Sequence, residues 1–144
     1  MKNFHLILII IATVLSGCSK GPKPIAYGEA ECTFCKMTIR DKRFGSQIVN
    51  TKGKPFSFDD LSCMVGYLKT EIISQKDMEG MYVPDYLGTN TLLPAESMHF
   101  VASETLRSPM GGNIAGFSVA DSAKAYAEKL NGKLVTWNDI VTHD

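Results

Sequence analysis

The chain runs through one plan twice, and this repetition limits the possible fold more than any single motif. In the first half, residues 44–51 and 54–58 read as strands that meet at Lys52-Gly53, a hairpin signal. Asp59 or Asp60 can then cap a helix. Leu61, Met64, Val65, Leu68 and Ile72 follow at the spacing of one apolar helical face. Met81-Tyr82-Val83 returns as a strand before Pro84. The second half offers strands over 98–102 and 113–117, and Ser118 with Asp121 forms a capping-box-like pair. Ala123, Tyr126, Ala127 and Leu130 give the next helix its apolar face; Asn131-Gly132 ends it, and 133–137 reads as a last strand. Phe56-Ser57-Phe58 corresponds to Phe117-Ser118-Val119 in front of the two helices. Each helix needs a sheet face to cover, so the expected fold is α+β, two ββαβ units packed by their sheets into one small domain.

The N-terminal residues read as an address. Lys2 is followed by an apolar stretch, Leu6 to Leu15, too short to span a bilayer, which takes about 20 residues. Leu15-Ser16-Gly17-Cys18 then places a cysteine directly after small residues, the lipobox pattern of bacterial lipoproteins. The pattern implies cleavage after residue 17 and acylation of Cys18, with the domain exported and facing the periplasm. Ser19 after that cysteine, rather than Asp, favours the outer membrane in a Gram-negative host by analogy with lipoprotein sorting. Residues 18–31 carry two prolines and two glycines and read as the tether, leaving 32–144 as the folded domain.

Lys+Arg and Asp+Glu balance at 15 each. There is no basic stripe of the kind that nucleic acid requires. With Cys18 acylated, Cys32, Cys35 and Cys63 remain, an odd number for an oxidising compartment in which thiols normally pair.

The central motif is Cys32-Thr33-Phe34-Cys35-Lys36-Met37, three sulfur donors within six residues. Thiolate and thioether select Cu(I) over harder ions. Three other chemistries compete: a Cys32–Cys35 disulfide, a thioredoxin-like redox pair, which expects the motif to open a helix in a βαβ setting, and structural zinc, which needs four ligands. A second motif, Ser108-Pro109-Met110-Gly111-Gly112, sets a thioether on a turn, where packing explains it poorly and glycines permit close approach. The remaining candidates read as structural. Met98 and Met64 belong to the core, Met78 and Met81 to loop and strand, and His99 points away from the core. His143 lies near the terminus. Cys63 lies off the apolar stripe, near Tyr67, as a buried thiol under a second layer, with ligation its minority alternative.

The lipobox, Cys32-x-x-Cys35-x-Met37, Phe56-Ser57-Phe58-Asp59-Asp60 and Ser108-Pro109-Met110-Gly111, in this order, resemble the NosL family, accessory proteins of nitrous-oxide reductase. The resemblance spans about residues 32–137 and agrees with two ββαβ units. It implies a Cu(I)-binding metallochaperone, not an enzyme, that supports assembly of the reductase's copper-sulfide centre. Its implied partner is the periplasmic subunit of an ABC-type maturation complex, and through it the reductase. The family's Cys and Met ligands map onto Cys35 and Met110, with Cys32 and Met37 beside them. Many members carry glycine where this chain has Lys36. The mechanism expected from the donors themselves is ligand exchange: Cys35, with Cys32 as a further candidate, holds the ion as thiolate, and the neutral, weaker thioethers of Met37 and Met110 let go first. The rival readings are a thiol–disulfide oxidoreductase and an interaction lipoprotein clipped by a Cys32–Cys35 disulfide.

Overall fold

A computed structural model describes residues 20–142; Cys18 and His143 lie outside them. The first unit comprises β1 (Ser46–Asn50), β2 (Pro55–Phe58), α1 (Leu61–Lys69) and β3 (Met78–Pro84). A short strand, β4 (Leu92–Pro94), follows. The second unit comprises β5 (His99–Ala102), β6 (Ile114–Phe117), α2 (Ala120–Lys129) and β7 (Lys133–Val135), and α3 (Trp137–Thr142) follows it. Strand orders are β2-β1-β3-β4 and β6-β5-β7. In each unit the first strand therefore lies between the other two, so the repeat holds in topology as well as in element order. All pairings between these strands are antiparallel. No helix among the described residues is long and apolar enough to cross a membrane.

Alternation along β5 joins the layers. Phe100 enters the main core with Ile48, Phe58, Met64 and Val83 of the first unit and Ile140 of α3. Its neighbour Val101 points to the opposite face, where Ala115, Phe117 and Ala123 form a second core beneath α2. The units also join at strand ends, where the Tyr86 amide donates to the Gly116 carbonyl over 2.8 Å. Met98 and Met64 are buried and His99 is exposed, as expected.

Four local expectations need correction. First, α1 ends at Lys69, so Ile72 lies beyond it and is exposed. The buried face is Leu61, Cys63, Met64 and Tyr67, because the Tyr67 ring packs against both Phe56 and Phe58 and rotates the helix that way. Cys63 is thus on the buried stripe. Second, Ser118 does not cap α2. Asp85 takes both its amide and its hydroxyl, and Val119 occupies the N-cap position without a side-chain bond. Third, β7 stops at Val135. Thr136 and Asp139 bond reciprocally as a capping box, so Trp137 opens a helix instead of closing a strand. Fourth, the expected tether is docked from Lys23 onward. The Gln47 side chain bonds both the amide and the carbonyl of Lys23, and Ile25, Tyr27 and Ala30 pack on the core.

Candidate metal centre

Three segments build the site. The first is a tight loop closed by a Glu31–Thr38 bridge, with the Cys32 amide donating to the Met37 carbonyl at 2.8 Å. Lys36 makes the turn. Its φ of 65° is left-handed, a conformation glycine adopts freely, and its ammonium donates to the Thr33 carbonyl at 2.7 Å. The loop is fastened to β2 by the Thr33 amide, which donates to the Ser57 carbonyl at 2.7 Å.

The second segment is the start of α1. Asp60 is its N-cap and accepts from the Cys63 amide at 3.2 Å. This cap fixes the helix phase, and the phase turns Cys63 inward. The sulfurs of Cys32, Cys35 and Cys63 then lie within 4.8 Å of one another. All three are free thiols, Cys32 and Cys63 buried and Cys35 half-buried.

The third segment is the Ser108–Gly112 turn, closed by the Gly111 amide on the Ser108 carbonyl, with Gly111 at a φ of 76°. It is seated on the same carboxylate: the Met110 amide donates to Asp60 Oδ2 at 3.0 Å and the Ser108 hydroxyl does so at 2.7 Å. Met110 is 39 % exposed and Met37 57 % exposed. The fold therefore brings Cys32 and Cys35 together with Cys63. Met37 follows on the loop surface, and Met110 reaches the cluster's helix through its backbone.

The three thiols are not electrostatically equal. Burial works against a Cys32 thiolate, but the backbone amides of Cys35, Asp59 and Phe34, with the Cys35 thiol, outweigh it and hold the pKa below the ordinary thiol value. Burial raises Cys35. It raises Cys63 strongly, and negative charge on Cys32 adds to that rise. Of the three, Cys32 gives up its proton most readily, and metal binding would draw the protons from the others. Three thiolates on a buried patch suit a soft ion in low coordination.

Phe34 wedges the loop against α1. A Cβ on Gly66 would lie 2.7 Å from the Phe34 ring, so glycine leaves the space in which the ring rests. Alanine is favoured over glycine inside a helix by about 1 kcal/mol. Gly66→Ala is therefore expected to keep or raise the thermal midpoint while pushing Phe34 outward and loosening the thiol loop. Metal affinity falls by about tenfold, as when a supporting contact is lost. Calorimetry beside a metal titration checks both halves of this expectation.

The two acidic residues at this corner respond to pH in opposite directions. Burial works against the Asp60 carboxylate, yet the Ser108 and Ser62 hydroxyls and the Cys63 and Met110 amides hold its pKa below 3.8. Its contribution to stability is complete above 3.8 and is lost as pH falls through the lowered value. Asp59 is raised, by burial first and by the neighbouring Asp60 charge second, and its Oδ1 is buried without a partner. Its charge costs stability at neutral pH, and that cost is relieved as pH falls through the raised value. Asp59→Asn is expected to raise the thermal midpoint at pH 7, and to do so much less at pH 3, in paired melting curves.

The class that fold and site define is a small α+β protein with three cysteines placed so that they could hold a metal ion. The NosL family model matches residues 24–144. The chain belongs to the NosL family. The crystal structure of the copper chaperone NosL from Shewanella denitrificans aligns with a TM-score of 0.73 at 23% identity, over 87% of this chain and 98% of that one. At that identity the likeness is one of fold. No curated protein matches the sequence.

Proposed function

We propose that this chain is a lipid-anchored metallochaperone that binds Cu(I) at Cys32, Cys35 and Cys63 and passes it on by ligand exchange. The observation that carries the proposal is the convergence of three thiols within 4.8 Å, drawn from a loop and a helix about thirty residues apart. NosL is a family of copper chaperones and not of enzymes. Thiolates hold the ion, and the exposed thioethers of Met37 and Met110, neutral and weaker donors, offer the side from which it leaves. A thiol–disulfide oxidoreductase is less well supported, because the Cys32–Cys35 turn sits between bridge residues Glu31 and Thr38 and does not open a helix.

The lipobox at Cys18 supports attachment to a membrane facing the periplasm, and Ser19 favours the outer one. The order of motifs shared with the family supports delivery to the periplasmic subunit of an ABC-type maturation complex, for the copper-sulfide centre of nitrous-oxide reductase. The reading is tested by anaerobic titration of the reduced protein with Cu(I) against a calibrated chelator, followed by transfer to that subunit. Stoichiometric uptake that consumes the thiols is expected. Thiols that remain free to a thiol reagent at saturating Cu(I) would refute it.

A further inference from the structure

Asp60 carries more bonds than a helix cap requires. Its Oδ1 accepts from the Ser62 hydroxyl at 2.7 Å and from the Cys63 amide at 3.2 Å, the ordinary work of an N-cap. Its Oδ2 accepts from the Ser108 hydroxyl at 2.7 Å and the Met110 amide at 3.0 Å, residues nearly fifty positions further along the chain. A carboxylate accepts only, and both oxygens here are fully employed. The far side is itself braced. The Asn113 amide donates to the Ser108 hydroxyl at 2.8 Å, and the Ser108 amide donates to the Asn113 side-chain oxygen at 3.0 Å. Gly112 then lies so close to α1 that a Cβ there would meet Ser62 at 2.9 Å.

The geometry points to Asp60 as a positioning residue for copper exchange: its carboxyl group latches the Met110 turn onto the helix that presents Cys63, so that thioether and thiols act as one site. Capping alone leaves the second oxygen unexplained, and its two bonds hold in place the segment whose sequence packing explains worst. Asp60 bonds the backbone of Met110 and of Cys63 and acts through them. The inference rests on the chaperone reading above and assigns the residue that joins its two halves.

The test uses the full-length chain in detergent micelles, with methyl-labelled methionine and Cu(I) added anaerobically as the probe. Asp60→Asn is informative because asparagine keeps one oxygen for the Cys63 amide but sets an NH2 group against the Met110 N–H, donor against donor. In the wild type, the Met110 methyl resonance is expected to move on loading. Asp60→Asn removes that movement while the buried Met98 methyl reports an intact fold. Ser108→Ala weakens it, and Ser108→Thr, which retains the hydroxyl, restores it. Release to excess chelator gives a second readout. Met110→Ala changes the rate about tenfold, and Asp60→Asn added to it changes the rate by less than about twofold, the signature of coupled residues.

A Met110 methyl that ignores Cu(I) in the wild type, or moves equally in Asp60→Asn, overturns the inference, as do independent effects in the double variant. If the wild-type thiols take up no Cu(I), the chaperone reading falls with it. Normal uptake with an unmoved Met110 methyl removes this inference alone.

Discussion

On the proposed three-thiol site, Cys63→Ser is expected to weaken Cu(I) binding by at least about a hundredfold, since loss of a direct ligand should exceed the 10–100-fold typical of supporting contacts. Serine keeps the size of the side chain and, with the Asp60 cap in place, the phase of α1. What changes is the donor: a neutral hydroxyl is hard, and Cu(I) prefers sulfur. Removing Cys63 leaves Cys32 and Cys35 on the loop with the exposed thioethers, the ligand set the sequence suggests without the helix. Anaerobic chelator competition on wild type and variant, each checked by circular dichroism, measures the difference. A change of only a few-fold would mean that the ion sits on the loop and the helix thiol is packing. The same titration on Cys35→Ser sets the scale, because both readings require that residue.

The largest expected loss of stability from a minimal substitution lies at the second core, away from the residues of the candidate metal site. Gly132→Ala would place a Cβ 2.7 Å from the Ala102 carbonyl oxygen, 2.9 Å from the Ser103 Cβ and 3.0 Å from a Val101 methyl. None of these can swing aside as a surface side chain would. Ala102 pairs with Ile114 on one side and Lys133 on the other, and Val101 is buried in the second core. The sequence suggests that Asn131-Gly132 ends the helix, and the division of labour is specific. Asn131 takes the left-handed conformation at φ 48°, and its amide donates to the Glu128 carbonyl, while the Gly132 amide donates to the Ala127 carbonyl at 2.8 Å. This is a Schellman closure, with asparagine in the position glycine usually occupies. Gly132 is needed for proximity to the sheet. Overpacking of this kind costs about 1–3 kcal/mol, and a drop of several degrees in the thermal midpoint is the expected reading. An unchanged midpoint would show that the end of α2 can shift away from β5.

The architecture was legible because it follows from periodicity. A hairpin signal at Lys52-Gly53, strand-like runs ahead of each helix and apolar spacing in the two helices suffice for two ββαβ units, and the shared strand order agrees. The candidate metal site was half legible. Cys32, Cys35, Met37 and Met110 stand in conspicuous local motifs. Cys63 has no such motif, and reading Ile72 as part of the helix tilted the apolar stripe away from it. The useful signal was Asp60, three residues earlier: a cap fixes where a helix begins, and so which side chains face inward. The aromatic run Phe56-Ser57-Phe58 supplied the rest, since Tyr67 must lie against both rings. Two short elements escaped for ordinary reasons. β4 is three residues long and carries no alternation to detect, and the Thr136–Asp139 capping box follows a strand too closely to be told from its continuation.

Docking of the chain from Lys23 onward would constrain the lipid anchor proposed at Cys18. At about 3.5 Å per residue, the four residues between the two positions could separate them by less than about 20 Å. A domain on so short a leash would keep much the same height above the lipid and a narrow range of tilts. It would not search the periplasm for a recipient; the recipient would have to meet it at the membrane, and encounter would be governed by diffusion in two dimensions.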